Sequence, residues 1–596
     1  MKFQKERLIF LICIFISFFL AFLSWDYIHF KYTDPGIIGA YSLNNHHSFN
    51  DVFRYIAFVM IPIFTFIGVK AYYEKNFILN IKTLFSNNRF IYKNNSHLSW
   101  LTFFIILIFL FLEFFSIPFP VHNLDSFHEG QKMSAAYKSL LDNSLWSGSY
   151  VTVGVFYEIL SSKITWKIFD HTSIGLVRFT ELFLIFVLKI LLILFLTFLS
   201  NFLKLSNFYK IIFIIINVLF FSFLIDYNPG VDLISSREIP ILTLLILFLS
   251  LLYNNNNLFV LFLIALLSTS SMIWAIDRGL VCNFLILCIL IYLVLIGEYK
   301  KSFLFVIFIT LSWLILFYIL KNEFYYFIDN TITIFKEMNY IHGLIHPTPF
   351  TDDLNSTRAT KTLLFIILAS FISVDLIFSK KNDFDLNLKR IFIFLTIIVI
   401  SSYLYALGRS DGPHIKNSFG YPLILIFIYI SYNFLLIISN REKYLTYFIS
   451  LLFVITTISS FKIDYQNLIT FKERFISYVY QSDEFFLNSK EFDLVSELKP
   501  QINDFKCIQL LSNDAALYYL LRKKSCTKYY YVWNSSSKNI QKKFINELKN
   551  TKIIIEGGKK NNWDVPLEKK LFLIYDELNQ KFTFSKQIND WKVFLR

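Results

Sequence analysis

The stretch His122-Asn123-Leu124-Asp125-Ser126-Phe127-His128-Glu129-Gly130-Gln131 sets two carboxylates and an imidazole within a few residues of one another. At a membrane surface, a partly desolvated carboxylate rises in pKa towards the range of a working general base. Asp125, Glu129 and His128 are therefore candidates for proton abstraction. The same residues would equally suit a polar loop that caps the next helix, with Asp125 or Ser126 as N-cap. The following KMSAAYKSLLDNSLWSGSY has the pattern of an amphipathic helix lying along an interface.

Three further groups are cationic. In Gly408-Arg409-Ser410-Asp411-Gly412-Pro413-His414-Ile415, a guanidinium can clamp a phosphate and an imidazole can donate to it, with Asp411 in support. A charged turn closing a helix would read the same way. Asp277 and Arg278 sit in Ala275-Ile276-Asp277-Arg278-Gly279, and Arg237 sits in Ser235-Ser236-Arg237-Glu238. Either could be a headgroup-level pair or part of a phosphate site. Lys189 falls mid-way along an apolar run, where lipid exposure costs ~3 kcal/mol, so it is expected to face a groove or a partner.

These groups lie at or near the ends of long apolar runs. About thirteen segments meet the ~20-residue requirement for a spanning helix: 8–25, 52–70, 100–118, 181–200, 210–226, 239–253, 258–275, 280–297, 302–320, 362–379, 391–408, 420–439 and 444–461. Charged residues make up only 17% of the chain, against roughly 25% in a globular domain. That excludes a disordered, coiled-coil or plain soluble protein. The runs do not alternate as barrel strands would. The expected fold class is a polytopic α-helical membrane protein with a small C-terminal α/β domain, the apolar N-terminus being a retained anchor.

Much of the net charge of +14 falls in short loops beside the runs, where it signals topology and not nucleic acid. With Lys2, Lys5 and Arg7 in the cytoplasm, the basic loops recur in register: Lys75, Lys82, Arg89 and Lys93; Lys204 and Lys210; Lys300 and Lys301; Lys380, Lys381, Lys389 and Arg390; Arg441 and Lys443. An odd count then places the long, chemically varied loops and the C-terminus on the exoplasmic side of the plasma (inner) membrane. Three units are expected: 1–99, two helices and a basic cytoplasmic loop; 100–461, a transmembrane catalytic domain with a long first loop at 119–180; and 462–596, a soluble module. In the last, 507–512, 529–533, 552–557 and 591–596 read as strands, and segments near 514–522, 538–550 and 567–581 as helices. It has no Gly-rich phosphate loop. Cys507 and Cys526 are either a disulfide in an oxidising compartment or two unrelated thiols.

Taken in order, these elements resemble the GT-C superfamily of membrane glycosyltransferases, of the protein-mannosyltransferase and aminoarabinose-transferase type. The resemblance rests on an Asp-x-x-x-Glu-Gly element opening the first large loop, then GVFYEILSSKITWKIFDHTSIGLVRF with Arg178 beginning the next span, then GRSDGPHI, then a tail containing SNDAALYYLLRKKSCTKYYYVW. It covers roughly residues 100–596. The resemblance implies that Asp125 deprotonates the acceptor hydroxyl with Glu129 as second acid, and that Arg237, Arg278 and Arg409 hold the donor's lipid phosphate. Where the protein-mannosyltransferase type has adjacent Asp-Glu, this chain has DSFHE, which leaves open which carboxylate is the base. The partners implied are a polyprenyl-phosphate-linked sugar, a lipid, glycan or protein acceptor, and membrane lipids. A divalent metal could assist, though no dedicated ligand cluster is present. The alternatives are a lipid-linked-sugar flippase, which would need inverted repeats or broken helices, and a non-catalytic component of surface-polysaccharide assembly.

Overall fold

The computed structural model describes residues 2–33, 36, 39–73, 83–85, 97–227, 233–254, 257–337, 341–378, 385–407, 409–439, 443–562 and 565–596. Of the basic loop residues, Lys75, Lys82, Arg89, Lys93, Lys380, Lys381 and Arg441 fall outside these, as does Gly408.

A helix lies at each of the thirteen expected places. In lipid the backbone must satisfy its own hydrogen bonds, so a long apolar run becomes a helix. Among the described residues, nine helices are long and apolar enough to cross a membrane, and Asn207–Ser222, Leu258–Trp274 and Tyr447–Ser460 are apolar but shorter. The helix Leu386–Ser402 carries Lys389 and Arg390 near its start. Burial separates inner from outer helices. Ile174–Ser200 is 61% buried over its most apolar window and Tyr299–Leu320 only 11%, so the former is central and the latter faces lipid. Lys189 meets an inward partner, Glu113, at 3.0 Å.

The C-terminal module is built on a five-stranded sheet. Its strands belong to the series β1 (Cys507–Leu511), β2 (Lys524–Ser525), β3 (Ile553–Glu556), β4 (Asn561–Asn562), β5 (Val565–Pro566), β6 (Thr583–Ile588) and β7 (Trp591–Leu595), in spatial order β2-β1-β3-β7-β6. β1 runs parallel to β2 and β3, and β7 antiparallel to β3 and β6. β4 and β5 form a separate antiparallel pair. Cys507 and Cys526 are disulfide-bonded, with Cα atoms 5.0 Å apart.

Two expectations are corrected. The run at 529–533 is not a strand. Its aromatic side chains leave the sheet to pack on the first loop and the segment after 340, and it ends in a 3₁₀ turn, Val532–Asn534. The helix after the first-loop carboxylates, His128–Asp142, does not lie along lipid. Met133, Ala135 and Ala136 are wholly buried, Ser134 Oγ donates to the Ala515 carbonyl (2.5 Å), and Lys138 Nζ donates to that of Thr527 (2.8 Å). Small residues let the C-terminal module settle on this helix: a Cβ on Gly130 would come 2.3 Å from Ala516 N. The helix ends where Asn143 turns left-handed (φ 56°).

Candidate active site

The cationic groups singled out above meet in one cavity of about 1040 Å³, part of it open to solvent. Each is placed by a specific local device. Arg237 stands in a 3₁₀ turn, Ser236–Glu238, that leads into Ile239–Tyr253 with Pro240 at its start. Asp277 and Arg278 occupy the first turn of Ile276–Leu295. That turn is pinned to the first loop by Ile276 N donating to the Val153 carbonyl (2.6 Å), and Gly154 lies too close to Trp274 O for a Cβ (2.4 Å). Arg409 bridges backbone-to-backbone with Leu344. His414 belongs to the helix Gly412–Asn417, capped by Asp411, which accepts the His414 backbone N–H (3.0 Å).

The charges are unevenly compensated. Arg278 is buried between Asp277 and Glu238, donating to Glu238 at 2.7 Å, and Tyr421 donates to the same carboxylate at 3.0 Å. Arg237 lies 3.7 Å from Asp277. Arg409 makes no ion pair among the described residues, and its buried Nε has no hydrogen-bond partner there. Burial works against its charge and Asp411 works for it. Burial alone would raise the Asp411 carboxyl, but the His414 ring and backbone N–H hold it below the ordinary range. Because that carboxylate only accepts, His414 Nδ1 must donate to it. A neutral His414 therefore presents a lone pair at Nε2, and only the protonated ring can donate to a phosphate.

Asp125, His128 and Glu129 do not line the cavity. They form the turn beside it. Asp125 Oδ1 accepts the backbone N–H groups of Phe127 and His128, both at 3.0 Å, and Oδ2 lies 2.6 Å from His128 Nδ1. Asp125 thus does what a capping residue does and also orients an imidazole whose side chain is 61% exposed. Burial pushes its carboxyl up, the His128 ring and the two N–H groups push it down further, and it settles at about 2. Glu129 is held by Arg178, whose Nε and Nη2 donate to it at 2.6 and 2.9 Å, and it accepts the Asp125 N–H at 2.8 Å. Arg178 also donates to the carbonyls of Pro120 and His122. Glu129 and Arg178 shape the turn; the exposed pair is Asp125–His128. Tyr531 connects turn and cavity: it lines the cavity and packs its ring on Phe127, with centroids 5.2 Å apart.

The structure also brings in residues that sequence reasoning did not select. Gln131, Thr152, His342, Tyr531 and Asn534 all line the cavity. Neutral polar side chains carry no spacing signal; Gln131, within HNLDSFHEGQ, and Tyr531, within SNDAALYYLLRKKSCTKYYYVW, stood in quoted motifs without being singled out. Glu158 lies behind Thr152 in a five-residue π-helix, Phe156–Leu160, fully buried and hydrogen-bonded to Thr152 N (2.9 Å) and Tyr530 Oη (2.9 Å). Among the described residues, no three His, Cys, Asp or Glu side chains are grouped to hold a metal ion.

The chain is similar to solved structures. One is ArnT from Cupriavidus metallidurans bound to undecaprenyl phosphate: 11% identity, TM-score 0.43, covering 83% of this chain and 97% of that one. A second is the archaeal oligosaccharyltransferase AglB from Archaeoglobus fulgidus in complex with an inhibitory peptide and a dolichol-phosphate: 10% identity, TM-score 0.35, covering 77% and 69%. A third is the Archaeoglobus fulgidus oligosaccharyltransferase tethered to an acceptor peptide: 12% identity, TM-score 0.34, with the same coverage. No family model matches the sequence, and no curated protein matches it.

Proposed function

We propose that this chain is a membrane glycosyltransferase of the GT-C type, a hexosyl- or pentosyltransferase. It moves a sugar from a polyprenyl-phosphate donor to a lipid, glycan or protein acceptor on the exoplasmic side of the plasma membrane. The observation that carries this reading is the cavity: Arg237, Arg278, Arg409 and His414, from three separate stretches of chain, converge on it, and Arg409 makes no close ion pair among the described residues, its buried Nε having no hydrogen-bond partner there. A cation left without a partner in a cavity is a place for an anion, and two oxygens of a phosphate match a guanidinium fork.

In the reaction, the acceptor hydroxyl gives its proton to the Asp125–His128 pair as its oxygen bonds to the anomeric carbon. The bond from that carbon to the phosphate oxygen breaks, and polyprenyl phosphate leaves with the electron pair. Arg409 and Arg237 absorb the charge that develops on the leaving phosphate. With its carboxyl held at about 2, Asp125 is a weak base by itself; its part is to fix the ring of His128 so that Nε2 is the accepting atom.

Two measurements test the reading. Mass spectrometry of lipids and surface glycans from cells with and without the chain should find one glycoconjugate lost. Asp125→Asn and His128→Ala should each lower its formation by the ~10²–10⁴ of a lost general base, with membrane insertion unchanged. Full activity in both variants would sink the assignment.

A further inference from the structure

Five neutral side chains make up much of the polar lining of the cavity besides its cations, and they come from three places that meet only in the folded chain. Thr152, from the first loop, accepts from Gln131 Nε2 (3.3 Å) and from Asn534 Nδ2 of the C-terminal module (2.9 Å). Tyr531 and His342 complete the set. His342 is neutral for a geometric reason. Trp533 Nε1–H can only donate, and it donates to His342 Nδ1 (3.0 Å), so the ring proton resides on Nε2. Burial, with Arg409, His414 and Lys570 nearby, acts in the same direction.

The carboxylates close to this group are all engaged. Asp277 serves Arg278 and Arg237, Asp411 serves His414, and Glu158 is sealed behind Thr152 with both oxygens in hydrogen bonds. A substrate ammonium placed here would face Arg237, Arg278 and Arg409, and among the described residues the one lining carboxylate, Asp277, is already committed to two of them. A substrate carboxylate would compete with the phosphate for Arg409. Amides, hydroxyls and a neutral imidazole satisfy hydroxyl groups, and leaving such buried polar groups unmatched is costly.

We propose that Gln131, Thr152, His342, Tyr531 and Asn534 are the specificity-determining residues for the transferred group, and that this group is an uncharged sugar bearing hydroxyl or acetamido substituents but no free amine or carboxylate. The inference rests on the lipid-phosphate reading of the cavity. It makes the C-terminal module part of the donor site and not only a cover over it.

The test uses the full-length chain in lipid nanodiscs and compares binding of undecaprenyl phosphate with its glucose, N-acetylglucosamine, glucosamine and glucuronate esters. At least one uncharged ester should bind about tenfold or more tighter than the bare lipid phosphate, and neither charged ester should. Asn534→Ala and Gln131→Ala should each erase that gain while leaving binding of bare undecaprenyl phosphate unchanged, which also reports that the variants are folded. Asn534→Asp should transfer preference to the glucosamine ester. If a charged ester binds tightest to the unaltered chain, or if both alanine variants keep the gain, the sugar assignment is overturned and the lipid-phosphate reading survives. If Arg409→Ala leaves binding of bare undecaprenyl phosphate intact, both fail.

Discussion

Glu158 is fully buried, yet its carboxyl accepts the backbone N–H groups of Thr152 (2.9 Å) and Val153 (2.5 Å) and the Tyr530 hydroxyl (2.9 Å). Burial outweighs these bonds and pushes its pKa from 4.5 to about 7. A carboxyl raised on folding stabilises the protein fully below its ordinary value, and that contribution is lost as pH rises through about 7. Glu158→Gln mimics the protonated group in shape and polarity. Thermal unfolding in detergent should therefore show the unaltered protein losing up to about 3 kcal/mol relative to the variant between pH 5 and 8. Parallel curves would mean that Glu158 does not titrate there. Asp125 behaves oppositely. Its carboxyl is depressed to about 2, so its contribution is present above the ordinary 3.8 and is lost only as pH falls through about 2. Any acid limb of the transfer activity between pH 5 and 7 must come from another group.

The helix His128–Asp142 shows how much an element's surroundings decide. Its amphipathic pattern is legible in the sequence, but an apolar stripe reads the same whether lipid or protein covers it. Here protein covers it, through Ala515 and Ala516. The run at 529–533 fails as a strand for a related reason: its β-forming aromatics serve contacts with Phe127, Glu158 and His342 and not a ladder. β6 was not foreseen because an exposed edge strand such as Thr583–Ile588 shows no apolar alternation. The docking of helix on module gives a sharp test. Gly130→Ala puts a methyl against the backbone of Ala515–Ala516, with closest approach 2.3 Å, and backbone cannot swing aside as a side chain can. The expected result is a loss of about 1–3 kcal/mol, seen as a lower melting temperature and faster proteolysis of the C-terminal module. An unchanged melt would show that the interface is looser than the packing implies.

At the scale of the whole molecule, the helical architecture and the cationic groups were legible, because apolar runs of membrane length have one outcome and charges at their ends stand out against 17% charged residues overall. That Arg237, Arg278 and Arg409 share one site was expected only through the family resemblance, since they come together through helix packing that no spacing shows, and the pairing of Glu129 with Arg178 was not legible. The compartment of the cavity follows from the sidedness of the chain. The proposed topology, read from the alternating basic loops and an odd count, puts the C-terminal module outside the cell, and the Cys507–Cys526 bond in that module suits an oxidising compartment. A lipid-phosphate donor must be met on one face of the membrane only, so sidedness and chemistry stand together. Alkaline phosphatase, which is active only outside the cytoplasm, should be active when fused after Arg596, and a green fluorescent protein that folds only in the cytoplasm should stay dark at the same position. A dark phosphatase and a bright fluorophore would move Arg409 and Asp125 to the cytoplasmic face, and the exoplasmic transfer mechanism would fall with the topology.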